Sequence, residues 1–177
     1  MITLLSLIIL AIPAYFANAI PVVLGGGTPI DNGRNFIDGK RLFGDSKTIR
    51  GFIAGMMGGF VIGSIMGLLL FSTEYNFFDS IIFYPICGFL MGFGTMTGDL
   101  IGSFLKRRAG MKEGSPALLL DEITFIFFAI AFILPFASHL AFQFAVLDVA
   151  LLVVLTFVLH KISNVFANKI GIKKVPW

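Results

Sequence analysis

The chain has 177 residues, of which 57% are hydrophobic and 13% charged, where ordinary soluble domains carry about 25% charged residues. The length suits one domain, and the composition excludes an ordinary soluble protein in favour of an integral membrane one. The single Cys87 lies in an apolar run, so no disulfide framework or cysteine metal site can form; the net charge of +3 is informative only through where the bases fall.

Runs free of Asp, Glu, Lys and Arg cover 1–30, 51–73, 80–98 and 123–147, with a shorter one at 149–159. A spanning helix needs about 20 apolar residues. Pro135, Ser138 and His139 suggest a tight hairpin inside the fourth run. Five spans are therefore expected, at roughly 3–23, 51–72, 80–101, 120–137 and 142–162, with Asp148 about two turns into the fifth. The first span lacks the basic n-region of a cleaved signal peptide. All 13 bases fall in three groups. Arg34, Lys40, Arg41, Lys47 and Arg50 follow span one. Lys106, Arg107, Arg108 and Lys112 follow span three, and Lys161, Lys169, Lys173 and Lys174 close the chain. The positive-inside rule then puts the N-terminus outside and the C-terminus in the cytoplasm. The expected fold is an all-α integral membrane protein, a single polytopic domain over 1–177. It passes repeatedly through the cell membrane and has two functional cytoplasmic loops, 24–50 and 102–119.

In span one, Asn18 sits between Pro13 and Pro21, and a buried amide needs a partner. Either neighbouring backbone or a polar ligand could supply it. The loop 24–50 is too long for a plain connection. Its end, Gly44-Asp45-Ser46-Lys47-Thr48-Ile49-Arg50-Gly51, lacks the glycine spacing of a P-loop. Ser46, Thr48 and amides near a helix N-terminus could still hold phosphate, with Lys47 and Arg50 as counter-charges; the alternative is a basic cluster that only sets topology. Span two carries Gly51, Gly55, Gly59, Gly63 and Gly67 at four-residue spacing. That ridge implies close helix packing, within the subunit or across a homodimer.

On span three, Gly88, Gly92, Thr95, Asp99, Ser103 and Lys106 share one face at about 100° per residue. Arg108 points away and Arg107 lies at the edge. An acid near the membrane boundary suggests function, with a structural ion pair as the alternative. The second loop leads through Pro116 into span four, where Asp121 and Glu122 come early. Acids are favoured there by the helix dipole. If Asp121 faces Asp99, the two carboxylates repel unless a cation lies between them, and oxygen ligands beside phosphate suit Mg²⁺. His139 and His160 read as interfacial, neither with an acid and a serine nearby to form a triad. Lys169, Lys173 and Lys174 read as inner-leaflet contacts, with Trp177 at the interface.

Two convergent acids, a phosphate-compatible loop and many bases on one side of a membrane fit phosphoryl or nucleotidyl transfer. Gly98-Asp99-Leu100, Ser103, Lys106-Arg107, Lys112, Pro116 and Asp121 resemble the signature of the membrane CTP:phosphatidate cytidylyltransferases. The first loop, PIDNGRNFIDGKRLFGDSKTIRG, resembles the archaeal branch of that family, the CDP-archaeol synthases. The resemblance implies that CTP and 2,3-bis-O-(geranylgeranyl)-sn-glycerol 1-phosphate, an isoprenoid ether lipid phosphate, give CDP-archaeol and pyrophosphate with Mg²⁺. Asp99 and Asp121 would be metal ligands. Lys47, Arg50, Lys106 and Arg107 would hold phosphates, and Asn18, Asp38, Asp45, Ser46 and Ser103 are further candidates. No nucleic-acid partner is expected. The bacterial signature has a His-Gly-Gly segment and a second acid three residues after Asp121; this chain lacks the first and has Thr124 at the second. Asp45 or Asp38 could compensate. A small transporter or channel with Asp99 on an ion path is the alternative.

Overall fold

A computed structural model describes residues 4–115, 117, 120–141 and 146–170. Pro116, Lys173, Lys174, Trp177 and the side chains of Glu122 and His160 lie outside the described residues. The described chain is all-helical: α1 (Leu4–Leu24), α2 (Ile49–Leu70), α3 (Phe83–Arg108), α4 (Leu120–Ile133), a 3₁₀ turn (Leu134–His139) and α5 (Val146–Lys169). Helices α1 and α2 are long and apolar enough to cross a membrane, and shorter apolar stretches cover Ile123–His139 and Leu147–Leu159.

Helix α3 lies between α2 and α4, and glycine sets both contacts. On one face Gly88 and Gly92 meet Gly59 and Gly63 of α2, where a Cβ on Gly88 would lie 2.8 Å from the Cα of Gly63. On the other face Gly94, Gly98 and Gly102 meet Phe128, Phe125 and Thr124 of α4. Small residues let the backbones approach, so dispersion contacts accumulate where lipid offers no hydrophobic driving force. An aromatic ladder reinforces the order α2–α3–α4, with Phe52 edge-on to Phe93 at 5.8 Å and Phe93 on Phe132 at 5.2 Å. Leu7, Leu10, Ala11 and Ala14 of α1 pack into the same core as Met66, Cys87, Phe125 and Ile126. Helix α5 is tied to α1 by a 2.9 Å hydrogen bond between the Tyr15 and Thr156 hydroxyls.

Several sequence expectations change here. The glycine ridge of α2 is consumed inside the chain: Gly51 and Gly58 pack on α1, Gly55 on α1 and α3, and Gly59, Gly63 and Gly67 on α3. The exposed face of α2 carries Ile53, Met57, Val61, Ile65 and Leu68. Residues 102–108 are helical, so the second loop begins at Ala109 rather than at 102. Asp148 lies in the described part of α5, and residues 142–145, where the fifth span is expected to begin, lie outside the described residues. His139 does have an acid partner: its Nδ1 is 3.0 Å from Asp79 Oδ2. The cause is backbone pairing of the α2–α3 connection with the end of the 3₁₀ turn, in which the Ala141 amide donates to the Phe77 carbonyl at 2.9 Å and the Asp79 amide to the His139 carbonyl at 3.1 Å.

Candidate active site

The first loop is folded on itself. Thr28–Ile30 runs antiparallel to Lys47–Ile49, with the Ile30 amide donating to the Lys47 carbonyl at 2.8 Å and the Ile49 amide to the Thr28 carbonyl at 3.1 Å. Its organiser is Asp31, whose side chain is fully buried. The carboxylate accepts from the amides of Gly33, Phe43 and Gly44 and from Nε and Nη2 of Arg41. The local reason is the Asp-Asn-Gly turn, in which Asn32 and Gly33 both take positive φ, a conformation Asn and Gly tolerate best. Burial alone would push the Asp31 carboxyl up. The Arg41 guanidinium and the three amides outweigh it and hold it well below the usual carboxylate range.

The fold pairs Lys47 with Asp99 and Lys106 with Asp121. Lys47 Nζ reaches both oxygens of Asp99 at 2.7 Å, joining the first loop to α3. Lys106 Nζ lies 2.7 Å from Asp121 Oδ1, joining α3 to the start of α4. Both carboxylates keep about a third of their side-chain surface exposed, 32% for Asp99 and 31% for Asp121, so a ligand from water can reach them. Buried Ser103 lies one turn from Asp99 and three residues from Lys106. One turn deeper, the hydroxyl of Thr95 is buried without a hydrogen-bond partner. The face Thr95–Asp99–Ser103–Lys106 is the one expected from helical spacing.

The other predicted residues go elsewhere. Arg107 is buried, with Nη2 donating to the Lys112 carbonyl at 3.1 Å. Asp38 faces Arg108 Nε at 3.1 Å. Arg108 also donates to the carbonyls of Lys40 and Arg41 and stacks on Phe36 and Phe104. It lies outside the two ion pairs and acts as the clamp of the first loop onto α3. Asp45 is bonded to Arg41 at 2.6 Å. The Ser46 amide donates to Glu113 Oε1 at 2.7 Å. Thr48 caps α2 by accepting from the Gly51 amide, satisfying one orphan donor of the helix end. Arg50 Nε donates to the Leu24 carbonyl at 2.7 Å, closing the end of α1. It borders an open, mainly apolar groove of about 570 Å³ with Leu24, Thr28, Ile49, Ile53 and Ala54. Asn18 is half-buried on α1.

Asp31, Arg41 and Glu113 were not singled out from the sequence. The Asp-Asn-Gly turn was a usable signal for Asp31; Glu113, a lone acid in a glycine-bounded loop, had none. Among the described residues no three His, Cys, Asp or Glu side chains cluster as a metal site. Two reachable carboxylates flanked by lysines do suit a cation that takes its other ligands from phosphate and water, which is how Mg²⁺ is usually held.

The whole chain, residues 1–177, matches a family model described as CarS-like, CDP-archaeol synthase. It is 44% identical over 166 residues to the CDP-archaeol synthase of Pyrococcus horikoshii, covering 94% of this chain and 92% of that one. It is 45% identical to the enzyme of the same name from Thermococcus kodakarensis, with the same coverage. The enzyme of that name from Methanocaldococcus jannaschii is 39% identical over 172 residues, covering 94% of this chain and 93% of that one. A solved structure of an intramembrane enzyme for archaeal membrane lipids biosynthesis is similar at a TM-score of 0.79 and 33% identity, covering 92% of this chain and 95% of that one.

Proposed function

The chain belongs to the CarS-like CDP-archaeol synthase family, and from that premise we propose that its two lysine–aspartate pairs are the resting form of a cytidylyl-transfer site. The protein is a membrane cytidylyltransferase of archaeal lipid synthesis. Its substrates are CTP and an archaeal lipid phosphate, 2,3-bis-O-(geranylgeranyl)-sn-glycerol 1-phosphate. A lipid phosphate oxygen attacks the α-phosphorus of CTP. The new P–O bond gives CDP-archaeol, the α–β bridge breaks, and pyrophosphate leaves; no covalent enzyme intermediate is needed.

The observation that supports this assignment is that Lys47 and Lys106 each hold a reachable carboxylate at 2.7 Å. Each lysine is thereby held in a part-exposed ion pair whose carboxylate a phosphate oxygen could replace. When the triphosphate arrives, Lys47 and Lys106 exchange carboxylate for phosphate and neutralise charge as it moves toward the leaving group. Asp99 and Asp121, so released, are the residues that would hold Mg²⁺, and the metal would supply Lewis-acid polarisation of the phosphates. Ser103, buried one turn from Asp99 on the same helix, is a further hydroxyl candidate. Arg107, Arg50, Ser46, Asp45 and Asp38 support the loops and helix ends around the site in the resting form, and Asn18 remains a ligand candidate on α1. With the family assigned, a transporter reading of Asp99 has no observation in its favour.

The test uses detergent-purified protein, labelled CTP, the lipid phosphate and Mg²⁺. Pyrophosphate and a labelled lipid product form together, and metal removal with EDTA stops both. Absence of product with the lipid phosphate would refute the assignment, and undiminished turnover in EDTA would refute the metal.

For orientation we propose five spans in the cell membrane with both charged loops inside, since the 13 bases avoid the other side. Ile37, almost fully exposed in the first loop, is the place to check. In Ile37→Cys, an impermeant thiol reagent labels the protein only after cells are opened. The native Cys87 is buried and stays silent. Labelling of intact cells would reverse the topology.

A further inference from the structure

We infer that Glu113 is a positioning residue that aims Lys47 at the transfer site, so that the second loop sets the geometry of the first. Lys47 sits at the end of a tight turn, its own amide donating to the Gly44 carbonyl at 3.3 Å. The turn is held from outside the first loop by one carboxylate. Glu113 Oε1 accepts from the Ser46 amide at 2.7 Å, and the Asp45 amide and the Ser46 hydroxyl also bond to Glu113. Successive backbone N–H groups converging on one anion form a nest, and here the anion belongs to the protein. Gly44 is shaped to that carboxylate. Its φ is +122°, and a Cβ there would lie 2.9 Å from Glu113 Oε1.

Glu113 is itself held. Arg107 Nη2 donates to the carbonyl of the preceding residue, Lys112, and the Arg107 charge favours the ionised Glu113 carboxyl. Burial pushes that carboxyl up, but the hydrogen bonds from Ser46 and Asp45, with Arg107, hold it below its ordinary value. The chain of contacts therefore runs from Arg107 through the 112–113 turn and the 44–46 turn to Lys47 and Asp99. It gives Arg107, buried with Nη2 on the Lys112 carbonyl, a role in the reaction through Lys47.

This rests on the assignment of Lys47 to the transfer site, and a double-mutant cycle separates the two. Turnover of CTP to labelled lipid product is measured for wild type, Glu113→Ala, Lys47→Ala and the double variant, with thermal melting as a control for folding. Glu113→Ala lowers kcat by ~10–100-fold, the cost of a misplaced group. Lys47→Ala lowers it by ~100–1,000-fold. If Glu113 acts through Lys47, the double variant matches Lys47→Ala within about threefold, because the misplacement of an absent lysine costs nothing further. Multiplied losses in the double variant overturn the proposal, as does a Glu113→Ala enzyme at wild-type rate. A faster Glu113→Ala enzyme also overturns it, since Glu113 would then be blocking an anion cradle. Wild-type turnover in Lys47→Ala instead sinks the transfer-site assignment itself. Should Glu113→Ala fail to fold, Glu113→Gln, which keeps an acceptor of the same reach without the charge, is read in the same cycle.

Discussion

Asp99→Asn and Asp121→Asn each lower cytidylyl transfer by ~10³-fold or more, while the protein melts close to wild type. The amide keeps the shape of the carboxylate and can still accept a hydrogen bond from the lysine that holds it, Lys47 for Asp99 and Lys106 for Asp121. Both pairs are part-exposed, so the lost ion pair costs about 1 kcal/mol or less in stability. The loss in rate is far larger because a neutral amide is a poor ligand for a hard cation, and charge stabilisation is the main protein contribution to transfer between phosphates. Steady-state pyrophosphate release against thermal melting checks both sides. A near-wild-type rate in either variant would remove that residue from the site.

Gly98→Ala is expected to lower turnover by ~100-fold and stability by roughly 1–3 kcal/mol. Gly98 is the residue before Asp99, on the face that packs against α4. A Cβ there would lie 2.8 Å from the Cα of Phe125 and closer still to the Thr124 carbonyl. Backbone cannot yield as a side chain can, so α3 and α4 must separate. Asp99 and Lys106 ride on one of these helices and Asp121 on the other. The separation therefore acts on the site as well as on the fold. Gly102→Ala is the internal control: its Cβ would meet the Thr124 hydroxyl at 2.8 Å, a side-chain atom rather than backbone, so its effect is several-fold smaller. Equal losses in the two variants would show that close approach at Gly98 does not set the site.

Thr124 also explains part of the difference from the bacterial signature. The position where a second acid was expected is buried in the α3–α4 contact, with its hydroxyl donating to the Leu120 carbonyl at 2.8 Å. It faces Gly98 and Gly102 rather than the Lys47–Asp99 pair. The first-loop acids weighed as substitutes, Asp38 and Asp45, are bonded to Arg108 and Arg41.

What the sequence made legible was whatever a single helix repeats. Asp99, Ser103 and Lys106 share a face because spacings of four and three residues do so in any α-helix, and the lipid-soluble runs predicted the order of helices. The glycines of α2 were legible as a packing ridge but not as to their partner, because the same spacing suits a neighbour in the chain or in another copy. The Lys47–Asp99 pair spans 52 residues and depends on a turn held by Glu113, for which no local pattern exists. A phosphate-holding role for Arg107 comes from the family resemblance, not from the helical face, whose edge it occupies. The structure continues α3 to Arg108 and folds the 109–115 segment back over it, so neighbouring bases in sequence part company. Lys106 goes to Asp121 and Arg107 to the Lys112 carbonyl.

The most direct test of the paired-lysine site is a structure of the protein with CTP and Mg²⁺ bound. The triphosphate should lie between the two loops, with Lys47 and Lys106 Nζ moved from the carboxylates to phosphate oxygens and the metal on Asp99 and Asp121. A triphosphate bound elsewhere, with both lysine–aspartate pairs still closed, would contradict the account.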